Sequence, residues 1–258
     1  MSREKLTLIK VGGKIVEEGN SLTGLLNDFA RIEGYKILVH GGGRSATRLA
    51  EQLGVKSKLV NGRRITDLET LKIVTMVYGG LVNKNIVAKL QSLGINALGL
   101  TGADMNIIRS RKRPVMDIDY GYVGDVEEVN AGILQNIIMQ GIVPVLAPLT
   151  HDRHGNILNT NADTIASETA QALSKYFDVT LIFCFEKKGV LLDENDDNSV
   201  IPALNKQSFA ELTASGVIQG GMLPKLENAF KSIDNGVKEV IITQASAISG
   251  TAGTTIKE

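Results

Sequence analysis

The amino-acid sequence predicts an α/β protein whose largely parallel sheet is covered by helices on both faces. Two observations predict it. Short β-branched apolar runs alternate with stretches of helical spacing along most of the chain. Many glycines stand at the ends of those apolar runs, where a strand hands over to a helix.

The elements follow in order. "LTLIKV" (6–11) reads as the first strand. The stretch 21–34 has Leu22, Leu25, Leu26, Phe29 and Ile32 at helical spacing, with a serine start and a glycine stop. "KILVH" (36–40) is a strand, followed by three glycines and a helical 44–54. Residues 67–94 read as one long helix, or two broken near Gly79 and Gly80. "NALGLT" (96–101) is a strand. Between 105 and 130, "NIIRSRK" and "GYVGDVEEV" read as antiparallel strands with polar alternation. A helix over 130–141 and a strand over 142–149 come next, then a helix over 161–174 capped by Asn161. "DVTLIFCF" (178–185) is a buried strand. Helices over 205–216 and 220–236, a strand over 237–243 and a last strand at "TTIK" complete the chain. The expectation is two lobes on one sheet, 1–175 and 176–258.

Composition narrows the function. Lys+Arg and Asp+Glu are both 28, so no basic excess points to nucleic acid. A lone cysteine, Cys184, forms no intramolecular disulfide and lies in an apolar run, which fits a buried structural thiol. With three histidines beside it, a protein-built zinc site is not expected. The N-terminus has no apolar signal region and no run is long enough to span a bilayer. The expectation is a cytoplasmic protein without a membrane partner.

Four features fall at expected carboxyl ends of strands, where open α/β sheets bind ligands. In Lys10-Val11-Gly12-Gly13, glycines let N–H groups approach an anion and the lysine adds charge; a plain strand-end turn fits too. Gly41, Gly42 and Gly43 can present N–H groups and a helix N-terminus to an anion, yet match neither G-x-G-x-x-G nor a P-loop. In "NGRRIT" (61–66) and "NTNAD" (159–163), Arg64 suits a carboxylate and Asn159 an amide, while Asp163 sits in a helical first turn. Each also reads as a solvated loop residue or cap. Lys225 follows Gly220 and Gly221 into a helix N-terminus, where a cation is electrostatically unfavourable and so suggests a function. Two lysines, glycine seats, an aspartate and a carboxylate-binding arginine are parts that phosphoryl transfer needs.

These segments, with "LTGAD", "VPVLAPL", "GGMLPKLENA" and "GTTI", resemble the amino acid kinase superfamily, and within it the N-acetylglutamate kinases, over nearly the whole chain. The resemblance implies an open αβα sandwich of two lobes. Residues 1–175 would bind the acylamino acid and dimerise, and 176–258 would bind nucleotide. The implied reaction phosphorylates the γ-carboxylate of an N-acyl-L-glutamate with ATP and Mg²⁺, in arginine biosynthesis. By motif, Lys10 and Lys225 stabilise the transferring phosphoryl group and Asp163 holds both. Gly12, Gly13, Gly42 and Gly43 supply N–H groups. Arg64 grips the α-carboxylate and Asn159 the acylamide. Glu186, Lys187, Lys188, Gly189, Val190 and Leu191, with Val217, Ile218 and Gln219, contact the nucleotide.

Three departures from the family pattern stand out. Phe185-Glu186 occupies a position where a Thr-Asp or Ser-Asp pair is usual. The segment after "VIIT" is too short for the usual helix and a parallel crossover, which puts the last sheet edge in question. The first strand begins almost at once, whereas arginine-inhibited hexameric relatives carry an extra N-terminal helix; a homodimer without that feedback is expected. Sister kinases, an N-succinylglutamate or carrier-linked aminoadipate or glutamate kinase, and a non-catalytic sensor are the rival readings. A larger anionic acyl group would call for a further cation, Arg44 or Arg63.

Overall fold

The computed structural model describes residues 3–60, 63–249 and 252–258. Asn61 and Gly62 of "NGRRIT" lie outside the described residues, as do two positions of the last connection.

The chain opens with β1 (Glu4–Val11), α1 (Gly13–Glu17), α2 (Gly19–Arg31) and β2 (Tyr35–His40). Then come α3 (Gly43–Gln52) and a hairpin of β3 (Lys58–Val60) and β4 (Arg63–Ile65). The helix α4 (Leu68–Val74) runs through a π-helical stretch, Thr75–Val82, into α5 (Asn83–Ser92) and β5 (Ala97–Leu100). The middle holds β6 (Ile108–Lys112), β7 (Gly124–Val129), α6 (Ala131–Met139), β8 (Val143–Leu146), β9 (Leu149–His151) and β10 (Ile157–Asn159). The last third holds α7 (Ala162–Leu173), β11 (Phe177–Phe185), β12 (Ala203–Leu204), α8 (Lys206–Ala214), α9 (Leu223–Asp234), β13 (Glu239–Gln244) and β14 (Thr254–Ile256).

Eight strands form the main sheet in the order β12-β14-β13-β11-β1-β2-β8-β5. Every pairing is parallel except β13–β14. That exception answers the question of the last edge. The segment between them has one short 3-10 turn, Ala245–Ala247, and no α-helix among the described residues. Without a crossover helix the chain must double back, so β14 returns antiparallel. The expected antiparallel pair is β6–β7, in a second sheet ordered β10-β9-β6-β7. The three-residue strands β3, β4, β9 and β10 are too short to leave a periodic pattern.

The sheet separates two cores. Leu6 and Leu8 of β1 pack with residues of α6, α7 and α9 on one face. Ile9 and Val11 pack with α2, α3 and α5 on the other. The helix at 67–94 does not break at Gly79 and Gly80; it widens into the π-helical stretch. The Asn161 side chain caps α7 as expected, accepting from the N–H groups of Asp163 and Thr164. Cys184 is fully buried, and burial pushes its thiol up to about 12.

Candidate active site

Alternation along two neighbouring strands assembles the centre of the site. Side chains two apart on a strand share a face. Lys10 therefore continues the row of Leu6 and Leu8, under α7 and α9, at the carboxyl end of β1. It is 7% exposed, and its ammonium stands 2.8 Å from Oδ1 of Asp163, in the first turn of α7. On β11, Phe183 sits opposite Lys10, and Phe185 extends that face to the strand end. Lys10 Nζ lies 5.1 Å from the centroid of the Phe185 ring, and Lys225 Nζ, from α9, lies 3.8 Å from the same centroid. Residues from β1, α7, β11 and α9 thus meet at one point. Burial lowers the pKa of Lys225; Asp163 opposes that shift, Lys10 adds to it and Glu186 opposes it.

The glycine turns after β1 and β2 touch backbone to backbone. The N–H of Gly41 donates to the carbonyl of Val11 at 3.0 Å. A Cβ on Gly41 would stand 3.0 Å from the nitrogen of Gly13, and one on Gly13 would stand 3.4 Å from those of Gly42 and Gly43. Side chains there would part the turns. Gly42 is the N-cap of α3 and brings no side-chain cap, so the first-turn N–H groups are available to an anion.

Two cavities open at the glycine turns; Lys225 lines one of them, and Lys10 and Asp163 line neither. One, about 450 Å³, is lined by Gly42, Gly43, Arg64, Tyr78 and Asn159. The other, about 530 Å³, is lined by Gly12, Gly13, Glu186, Lys187, Gly189 and Lys225. Gly43 and Arg64 border both. Arg64 is buried, and donates to Ser57 Oγ at 2.6 Å, Gly43 O at 2.8 Å and Thr47 Oγ1 at 2.8 Å. A guanidinium has five N–H donors, so two remain. Asn159 donates to Thr66 Oγ1 at 2.9 Å. Glu186 pairs with Lys14 at 2.9 Å and Arg44 at 3.5 Å on the second cavity's wall.

The other residues expected at the nucleotide line neither cavity. Val190, Leu191 and Ile218 bury their side chains, so a ligand would meet only their backbone. Lys188 reaches Asn198 Oδ1 at 3.4 Å on an exposed loop. Val217 and Gln219 stand beyond the walls of both cavities.

Two residues at the site escaped the sequence. Tyr78, in an apolar run, resembles ordinary core; the π-helical stretch turns its ring beneath Gly42, where a Cβ would stand 2.9 Å from Tyr78 Cδ1. Burial raises its pKa, and Arg64 opposes that. π-helical segments recur at functional sites. Phe185 ends an apolar run that reads as a buried strand, and nothing in that run signals that its ring meets two ammonium groups.

Comparison with known proteins agrees with this architecture. An acetylglutamate kinase of Phocaeicola vulgatus is 72% identical over 256 residues, covering 99% of this chain and 100% of that one. A protein of the same name from Methanopyrus kandleri is 39% identical over 98% of this chain and 100% of its own length. Among solved structures, smu.665 of Streptococcus mutans superposes with a TM-score of 0.79 at 30% identity, covering 98% of each chain. The N-acetylglutamate synthase of Neisseria gonorrhoeae superposes at 0.83 over 100% of this chain and 60% of that one; at 20% identity this likeness concerns the fold alone. The family model described as the amino acid kinase family matches residues 5–244. The chain belongs to the amino acid kinase family.

Proposed function

We propose that this chain uses ATP to phosphorylate the γ-carboxylate of N-acetyl-L-glutamate, giving ADP and the acyl phosphate in arginine biosynthesis. The observation that carries the reading is the meeting of Lys10 and Lys225 at Phe185, with Asp163 beside Lys10, where Lys225 and Phe185 line a cavity that shares Arg64 and Gly43 with its neighbour. Relatives 70% identical or more that bear the name acetylglutamate kinase support the choice of substrate.

The chemistry asks little covalent work of the protein. The γ-carboxylate is ionised at pH 7 and attacks without a general base. One of its oxygens bonds to the γ-phosphorus, and the bond to the oxygen bridging to the β-phosphate breaks, leaving with ADP. The barrier is the meeting of two anions and the charge spread over the migrating group. Lys10 and Lys225 neutralise that charge, and Asp163 orients Lys10. In the first cavity the Arg64 guanidinium meets the α-carboxylate, Asn159 meets the acylamide, and N–H groups at Gly42 and Gly43 meet the attacking carboxylate. Gly12, Gly13, Glu186, Lys187 and Gly189 form the nucleotide side.

Mg²⁺ commonly binds through one or two carboxylates beside substrate phosphates. Asp163 and Glu186 are already paired with Lys10 and with Lys14 and Arg44, and no cluster of three metal-ligating side chains occurs among the described residues. The ion would arrive with ATP, held by its phosphates and water, and would neutralise phosphate charge. We further assign acylamino-acid binding and dimerisation to 1–175, nucleotide binding to 176–258, and a homodimer in the cytoplasm as the working state. Among the described residues, no helix is long and apolar enough to cross a membrane. Sedimentation at micromolar concentration tests the dimer; a monomer or hexamer refutes it.

The decisive experiment incubates the protein with MgATP, N-acetyl-L-glutamate and hydroxylamine, which traps an acyl phosphate as its hydroxamate. Hydroxamate equal to ADP released is expected, and ADP release without hydroxamate refutes the reading. One observation favours a second acyl group. Arg113 on the first cavity's wall is occupied by Asp125, but exposed Arg63 lines the same cavity. Arg44 lines the second cavity instead. N-succinyl-L-glutamate in the same assay tests whether Arg63 receives its extra carboxylate.

A further inference from the structure

Lys10 and Lys225 repel each other, and their counter-charges are unequal. Lys10 has Asp163 at 2.8 Å. Lys225 has no carboxylate within ion-pair distance among the described residues. What it does have is the Phe185 ring, 3.8 Å from ammonium to centroid. That ring is itself held: it stacks on Phe183 with centroids 6.0 Å apart and planes 7° from parallel, and Phe183 is buried in the core. An aromatic face attracts a cation through its quadrupole while carrying no net charge. A carboxylate in that place would cancel the charge that the migrating phosphoryl group needs. The ring fixes the ammonium and leaves its charge intact.

We infer that Phe185 is a positioning residue of the phosphoryl-transfer site, whose ring holds the Lys225 ammonium, and more loosely that of Lys10, at the point where the transferred group passes. The inference rests on the kinase reading above and deepens it. Phe185 also lines the second cavity, so the competing role is a mere wall for the nucleotide, and the test must separate the two.

Phe185→Leu keeps apolar bulk and removes the ring; Phe185→Tyr keeps the ring. Circular dichroism checks that both fold. Two measurements follow. Steady-state kinetics of Phe185→Leu should show kcat lowered about tenfold, with the KM for ATP and for N-acetylglutamate within about twofold of the parent. Phe185→Tyr should recover most of the rate. The second measurement needs no substrate. In lysine-¹³C-labelled protein, the Cε resonance of Lys225, assigned with Lys225→Arg, is titrated with base. The groups that face Lys225 are Asp163 of α7, Lys10 of β1 and Glu186 just past β11. None of them changes in these variants; the smaller leucine would also admit water, which raises the midpoint, so a fall reports the loss of the ring. Removing the ring withdraws support from the charged form, and the midpoint of Phe185→Leu should fall by about one pH unit, the equivalent of that tenfold; Phe185→Tyr should restore it. An unmoved midpoint overturns the inference, as does an ATP KM raised with kcat intact. A parent protein that phosphorylates no acylglutamate refutes the kinase reading alone, and the titration still decides whether the ring holds Lys225.

Discussion

Lys10 Nζ and Asp163 Oδ1 stand 2.8 Å apart, and the lysine is the more deeply buried partner, with its side chain 8% exposed against 24% for the aspartate. The aspartate is therefore the group that makes a buried ammonium tolerable at the end of β1. Asp163→Asn should lower kcat by about two powers of ten, because the ammonium loses its orientation. It should also lower the denaturant midpoint, because an uncompensated charge remains in a nearly closed site. Lys10→Ala and Lys225→Ala should each lower kcat by roughly two to three powers of ten. An unchanged kcat in Lys225→Ala would remove that residue from the mechanism.

Arg64 is braced before any substrate arrives, by Ser57, Gly43 and Thr47. Arg64→Ala should raise the KM for N-acetylglutamate far more than it lowers kcat, since it removes binding felt equally in ground and transition states. Arg64→Lys should not rescue it, because an ammonium cannot reproduce the planar fork that reaches all three partners. Recovery of the parent KM in Arg64→Lys would contradict the role proposed for the Arg64 guanidinium at the α-carboxylate.

Gly42 lies against the Tyr78 ring with no room for a methyl group. Gly42→Ala should displace the ring and the first turn of α3 with it, lowering kcat/KM by about tenfold to a hundredfold. The control is Gly24→Ala on α2, where an added Cβ meets nothing within 4 Å. That change should leave kinetics alone and stabilise the helix by about 1 kcal/mol. Equal kinetic losses in both variants would show that the Gly42 contact has no special place in the site.

His40, the last residue of β2 before the glycine turn, is fully buried. The carbonyl of Gly41, 2.7 Å away, can only accept, so Nδ1 carries the proton; Nε2 meets the Asn83 amide at 3.1 Å. Burial lowers the pKa of His40 from 6.5 to about 4. The unfolded chain thus binds the proton more tightly between those values. Stability from this group is complete above about pH 6.5 and is lost as pH falls through about 4, on the order of 3 kcal/mol in all. Urea unfolding at pH 7, 5.5 and 4.5 should show that decline, and His40→Gln should flatten it. An equal slope in both proteins would assign the acid sensitivity elsewhere.

Much of this molecule follows from local rules written in the chain. The strand and helix periods, the Asn161 cap and the glycine turns depend on backbone geometry and near neighbours, and sequence spacing expresses both. Chain length alone ruled out a crossover helix before β14. Alternation even dictates that Lys10 shares a face with Leu6 and Leu8, and Phe185 with Phe183. Only the tertiary structure decided which helices cover that face. The meeting of Lys10, Asp163, Phe185 and Lys225, drawn from β1, α7, β11 and α9, depends on how β11 inserts beside β1, how α7 packs across both and how α9 packs on α7 and β13. That choice is made by the summed burial of the whole core, a quantity with no local signature. The same holds for Tyr78, an apparent core residue whose place beneath Gly42, on the wall of the first cavity, depends on the packing of the π-helical stretch against α3.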